Sequence, residues 1–194
     1  DSQRYPSLEP GARKGDRGRL LVIGGGPYHG APILSGMAAA RSGCDLVHVA
    51  MPSKAANRCE WPNSIIPEEL PDEDLLTMSS TATIEAFIQS GRRPGSIVIG
   101  PGLGRDERTI EAVKAILEMT TEQGIPIVVD ADAVGALPRG KWPRGMTGVA
   151  TPHEAEACRW LGEAEPHEAL SECLDEDSTI VITGPEDRLT GPGG

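Results

Sequence analysis

The sequence predicts an α/β fold, an open and mostly parallel sheet covered by helices, and three observations carry that prediction. Short apolar runs alternate with helix-period segments along the chain. Several of those runs end in glycines or a carboxylate and lead straight into a helix. At 194 residues, 38% of them hydrophobic, the chain is long enough to bury a core. Aromatics are only 3%, so that core rests on Val, Ile, Leu, Ala and Met.

The elements follow in order. Arg19–Ile23 is a strand running into Gly24-Gly25-Gly26. Pro32 then sits in the first turn of a helix that turns Ile33, Leu34, Met37 and Ala38 inward, and Gly43 closes it. Asp45–Ala50 is the next strand. Between Pro52 and Ser80 the sequence is rich in Pro, Asn and acids, and no period places an element there. Order returns with a helix near Thr81–Gln89 and a strand at Ser96–Ile99. Asp106 to Gln123 is an amphipathic helix with Ile110, Val113, Ile116 and Leu117 inward, and Asp106 is placed to cap it. Ile125–Val129 is a strand ending at Asp130. A strand near Gly148–Ala150 feeds the helix Glu154–Leu161, stopped by Gly162, and Thr179–Ile182 is the last strand. That makes about six parallel strands. No repeat or low-complexity tract interrupts them, so residues 1–194 read as one domain.

The net charge of −11 excludes a nucleic-acid surface, because phosphate neutralisation needs a basic patch. Lys occurs only at Lys14, Lys54, Lys114 and Lys141. This balance fits either a high-salt cytoplasm or an ordinary acidic enzyme of a GC-rich genome. Cys44, Cys59, Cys158 and Cys173 form no Cys-x-x-Cys pair and read as reduced, core-facing thiols. No apolar run approaches the ~18–20 residues that span a membrane, and Asp1–Arg19 lacks a signal-peptide core. The expectation is a soluble, cytoplasmic protein with no membrane partner.

In open parallel sheets ligands bind beyond the carboxyl ends of the strands, and the unusual residues cluster there. Gly24-Gly-Gly-Pro-Tyr-His-Gly-Ala-Pro32 joins a strand to a helix N-terminus, which suits phosphate. It is neither a P-loop nor a dinucleotide fingerprint, and a tight turn with no ligand explains it nearly as well. Ile99-Gly-Pro-Gly-Leu-Gly104 repeats the arrangement, and Gly100, Gly102 and Gly104 would leave bare backbone. Of Asp130 and Asp132, one is expected to cap the short segment Ala131–Leu137. The other is available to bind Mg²⁺ through water or to polarise a substrate hydroxyl. His153, after Thr151-Pro152, is either a structural donor or a cleft residue.

Taken together, Gly18-Arg-Leu-Leu-Val-Ile-Gly-Gly-Gly26, Gly30-Ala-Pro32, Gly100-Pro-Gly-Leu-Gly104, Val129-Asp-Ala-Asp132 and Thr151-Pro-His153 resemble, in order and spacing, the ribokinase-like NAD(P)H-hydrate dehydratases. Lys14-Gly-Asp-Arg-Gly18 resembles that family's lead-in. The resemblance implies a ribokinase-like three-layer α/β/α sandwich with a mostly parallel central sheet. It also implies ADP- or ATP-dependent dehydration, with Mg²⁺, of the S-epimer of hydrated NADH or NADPH. By position, Ala31, Gly104 and His153 are implied as substrate-binding residues, and Gly102 and Asp130 join them as candidates from their places at the strand ends. Thr183, Gly184, Pro185, Glu186 and Asp187 stand where the family binds adenylate. A homo-oligomer is compatible with this reading.

The sequence departs from the pattern at Thr183, where the family has Lys, and at Gly135, where many members have Asn. His153-Glu-Ala-Glu156 resembles the Asn-x-x-Glu of related kinases with His in place of Asn. The family's Gly-Gly-Thr-Gly-Asp segment, with its expected general base, does not occur before Gly194. No catalytic residue or metal ligand is therefore assigned, and negligible turnover is expected of residues 1–194. The competing readings are a ribokinase-like kinase of a sugar or pyrimidine alcohol and a non-catalytic nucleotide-binding fragment.

Overall fold

Seven parallel strands and one antiparallel edge strand make up the sheet of the computed structural model, which describes residues 10–162, 174 and 178–191. The strands are β1 (Arg19–Ile23), β2 (Leu46–Pro52), β3 (Ile66–Leu70), β4 (Ser96–Ile99), β5 (Ile127–Asp130), β6 (Gly148–Thr151), β7 (Ser178–Ile182) and β8 (Arg188–Thr190). They lie in the order β3-β2-β1-β4-β5-β6-β7-β8. The sheet is larger than the about six strands expected from sequence. The additions are β3 and β8, both at edges. In Ile66-Pro-Glu-Glu-Leu70 only Leu70 is buried, so the strand shows no apolar alternation, and its proline is tolerated at an edge.

Alternation along β1 divides the core. Leu21 and Ile23 join the larger cluster, with Ile84 and Ile88 of α3 (Thr81–Gln89), Val113 and Ile116 of α4 (Glu107–Glu122) and Trp160 of α5 (Glu154–Leu161). Val22 points the other way, to Val47, Val49 and Met51, under Ile33 and Met37 of α1 (Gly30–Arg41) and Ala55 of α2 (Ser53–Asn57). Helices on both faces of a mostly parallel sheet give the three layers expected.

One helix face differs from the sequence expectation. In α1 the buried residues are Pro32 and Gly36, while Leu34 is 67% exposed and Ala38 also faces outward. The cause is Gly36, whose absent side chain would stand 2.9 Å from Val49 Cγ2. The helix lies on the sheet along its smallest residue, and that turns Leu34 to the opposite side.

The expected cap of α4 and stop of α5 are in place. The Asp106 side chain accepts from the Arg108 amide at the start of α4, and Gly162 ends α5 with φ of +78°. Cys44, Cys59 and Cys158 are half-buried, and burial pushes the Cys59 thiol up; Cys173 lies outside the described residues. Among the described residues no helix is long and apolar enough to cross a membrane.

Candidate active site

From β1 the chain moves outward through β2 to β3, then crosses back to β4 on the other side of β1 and proceeds to β7. The crevice at such a reversal, beyond the strand ends, is where open sheets bind ligands. Both glycine loops leave the sheet there. They pack on each other: the Gly25 amide donates to Pro101 O at 2.9 Å, a side chain at Gly24 would strike the same carbonyl, and one at Gly102 would strike Tyr28 O. A Cβ on Gly104 would stand 3.0 Å from the Pro27 ring, and one on Gly100 would collide with Asp130 O. Gly100, Gly102 and Gly104 also have positive φ. The second loop is therefore bare backbone, as its glycines imply, and packing against its neighbours is one reason for them. Ala31, three residues past Tyr28, is exposed in the first turn of α1.

At the end of β5 the backbone reverses at Ala131, whose φ of +48° is the one positive value of a non-glycine among the described residues. That conformation costs an alanine about 1 kcal/mol. It separates the two carboxylates of Asp130 and Asp132. Asp130 accepts the Thr151 hydroxyl at 2.7 Å on Oδ1. Asp132 accepts the Gly104 amide and Arg105 Nε, each at 3.0 Å. The Asp130 side chain makes no cap for the 3-10 segment Ala131–Ala136, and Asp132 is turned to the neighbouring loop, so the expected capping carboxylate is replaced by two ties between strand ends.

His153 caps α5. Its Nδ1 accepts from the Glu156 amide at 3.4 Å, while Glu156 Oε2 accepts from the His153 amide at 3.1 Å, a reciprocal capping box. The ring's other nitrogen lies 3.4 Å from Glu156 Oε1, and about half of the side chain remains open to solvent. Arg105 Nη2 stands 3.7 Å from Glu156 Oε1, so Gly104, Asp132, Arg105, Glu156 and His153 form one chain of polar contacts. Thr183 donates its amide to Pro152 O at 2.9 Å, which sets the turn after β7 beside His153. Thr183, Gly184, Pro185, Glu186 and Asp187 are all exposed, and Asp187 accepts the Gly184 amide at 3.1 Å. The structure thus brings Gly102, Gly104, Asp130, His153 and Thr183 to consecutive strand ends.

Residues 20–192 match the family model of NAD(P)H-hydrate dehydratase. The chain belongs to that family. It is 35% identical over 195 residues to an ADP-dependent (S)-NAD(P)H-hydrate dehydratase of Cenarchaeum symbiosum, covering 95% of this chain and 66% of that protein. It is 36% identical over 191 residues to a bifunctional NAD(P)H-hydrate repair enzyme Nnr of Hyperthermus butylicus, covering 92% of this chain and 35% of that one. The chain therefore spans two thirds or less of the length of these relatives. Among solved structures, an ADP/ATP-dependent NAD(P)H-hydrate dehydratase of Bacillus subtilis, co-crystallised with ATP/Mg²⁺, superposes with a TM-score of 0.71 at 23% identity. It matches 98% of this chain and 66% of that structure. A ribokinase-like superfamily protein of Enterococcus faecalis gives 0.72 at 23% identity, over 97% and 64%. At that identity the two structures establish the fold.

Within the family frame, three further residues organise the site. Arg105 and Glu156 join the substrate-binding candidates Gly104 and His153; the His153-x-x-Glu156 spacing was a visible capping signal, whereas nothing local marked Arg105. Asp72 lies in the stretch that showed no period. It accepts from the Thr77 amide and from the hydroxyls of Thr77, Ser79 and Ser80, and its backbone carbonyl accepts from the Ser53 amide. Burial pushes the Asp72 carboxyl up, but these hydrogen bonds outweigh it and hold the pKa below the ordinary value. Its neighbour Asp74 presents a carbonyl to Gly26, so this knot closes one side of the first glycine loop.

Among the described residues, no group of three His, Cys, Asp or Glu side chains could hold a metal ion on its own. Mg²⁺ in such a site would arrive on nucleotide phosphates, with a carboxylate such as Asp130 and water completing its shell.

Proposed function

We propose that this chain carries the substrate- and nucleotide-binding surface of an ADP- or ATP-dependent dehydratase that returns hydrated NADH or NADPH, as the S-epimer, to the reduced dinucleotide. The observation that carries the reading is the convergence of Gly102, Gly104, Asp130, His153 and Thr183 on consecutive strand ends, in the order of the family to which the chain belongs. The relatives named ADP- or ATP-dependent support the choice of co-substrate.

The hydroxyl oxygen on the hydrated ring attacks the terminal phosphorus of the nucleotide and gives up its proton, while the terminal phosphoanhydride bond breaks and AMP leaves from ADP, or ADP from ATP. The carbon–oxygen bond of the phosphorylated hydroxyl then breaks with phosphate as the leaving group, and loss of a proton from the adjacent carbon restores the double bond. Ala31 and Gly104 let the ring approach backbone, His153 offers its ring edge, and Asp130 faces the hydroxyl. Thr183–Asp187 cradle the adenylate, with Mg²⁺ carried on its phosphates. No residue is assigned as the base.

The test mixes the protein with hydrated NADH, Mg²⁺ and either ADP or ATP and follows the absorbance of the reduced nicotinamide. Binding of hydrated NADH, with or without its nucleotide-dependent recovery, supports the reading. A phosphorylated sugar or pyrimidine alcohol accumulating, with hydrated NADH neither bound nor repaired, would overturn it in favour of a kinase of the same fold.

A further inference from the structure

A cavity of about 300 Å³ opens beside the Arg105 network, between α4, the 3-10 segment Ala131–Ala136 and α5. Its apolar lining includes Ile110, Val134, Leu137 and Trp160. Its charged lining sets the guanidiniums of Arg105, Arg139 and Arg159 against the carboxylates of Asp132 and Glu156. Arg105 spans both carboxylates. Among the described residues, Arg139 and Arg159 have no ion-pair partner, although the chain carries a net charge of −11.

The backbone that bears these two arginines is braced. Trp160 Nε1 donates to Pro138 O at 2.9 Å, and the Gly140 amide donates to Trp160 O at 2.9 Å. Residue 139 lies between the two braced positions, and residue 159 immediately precedes the tryptophan. These two bonds tie the chain at Arg139 to the chain at Arg159. The Arg139 guanidinium lies against the bare α-carbon of Gly162, where a Cβ would stand 2.8 Å from Nη2. As a pair of planar forks the two guanidiniums match the oxygens of a phosphoryl group.

We propose that this cavity is a phosphate subsite, in which Arg139 and Arg159 hold a phosphoryl group and the apolar lining takes the uncharged portion of the ligand that bears it. The proposal rests on the dehydratase reading only for which phosphate ligand is native, since both of that reaction's substrates carry phosphates. Pyrophosphate is therefore the probe, and no turnover is needed.

Calorimetric titration at low salt should show binding to the wild-type protein that weakens about tenfold or more in R139M/R159M, because a charge-assisted bidentate contact is lost at each site. R139K/R159K should fall between, keeping charge but not the fork. In the wild-type protein itself, pyrophosphate should shift the Nε–H signals of Arg139 and Arg159 in a heteronuclear NMR spectrum. That measurement stands even if the double variant does not fold. Displacement of pyrophosphate by NADPH or by ADP would then tell which substrate supplies the phosphate. Wild-type protein that binds no pyrophosphate, or arginine signals that do not move, would overturn the subsite. A protein unable to repair hydrated NADH that still binds pyrophosphate through both arginines would sink the dehydratase reading and leave the subsite standing.

Discussion

His153 serves the fold and, by the reading above, the ligand, and one pair of substitutions separates the two. Asn is a strong helix N-cap, so His153→Asn should keep the stability of the protein within about 0.5 kcal/mol, whereas His153→Ala should lose about 1 kcal/mol with the cap. Both should weaken binding of hydrated NADH about tenfold, as expected when a hydrogen-bonding group to the ligand is removed. Urea denaturation and a binding titration on the two variants check this, and an Asn variant that binds normally would leave His153 a cap only. Gly100 poses a different constraint. Its φ is +128° and a side chain would collide with the Asp130 carbonyl, so Gly100→Ala should cost about 2 kcal/mol or more and lower the unfolding midpoint accordingly. That the glycines of both loops are special was legible in the sequence. The reason was not, because Gly102 meets Tyr28 and Gly24 meets Pro101 across more than seventy residues of chain.

Helix α4 was read almost to the residue because its apolar period, its Asp106 cap and its length all agree. The cap also gives a pH signature. The hydrogen bond from the Arg108 side chain, then that from the Arg108 amide, holds the Asp106 carboxyl at about 2, against ~3.9 for an unfolded-chain aspartate. A depressed acid stabilises fully above its unfolded pKa and loses that contribution as pH falls through the folded value. Thermal unfolding of wild type and Asp106→Ala should therefore differ by a constant gap at neutral pH. The gap should narrow below about pH 4 and close near pH 2; one that persists there would mean the cap does not depend on ionisation. Helix α1 and strand β3 were less legible. The face of α1 is chosen by Gly36 against Val49, a contact no hydrophobic period records. Strand β3 is held by its ladder to β2 along an exposed edge, and its hydrogen bonds need no apolar pattern. In the same stretch, Asp72→Ala should release the knot at residues 77–80, read as faster amide exchange of Thr77 with the α4 amides unchanged.

The layer order and the direction of the strands follow from the alternation of strand and helix. The place where that order reverses could not be read, because it depends on β4 choosing the free side of β1 rather than continuing beyond β3. Once that choice is known, the two glycine loops and His153 fall at one end of the sheet with no further assumption. The same arrangement has a consequence in time. Leu20 pairs with Val47 on one side and with Ser96 on the other, nearly three times as far along the chain. Closing the longer loop costs about 1 kcal/mol more in chain entropy, so a refolding molecule should carry β1 paired on one side before the other forms. Two consecutive amides report on those two sides: Gly24 donates to Ala50 O, beyond β1 toward β2, and Gly25 donates to Pro101 O in the loop after β4. In pulsed hydrogen exchange during refolding, Gly24 should gain protection first and Gly25 later, and simultaneous protection would show that the central strand is trapped from both sides in one event. Until β4 arrives, a strand destined for the middle of the sheet is an edge. For that interval in each folding event, the hydrogen-bonding groups along its open side can pair with another chain.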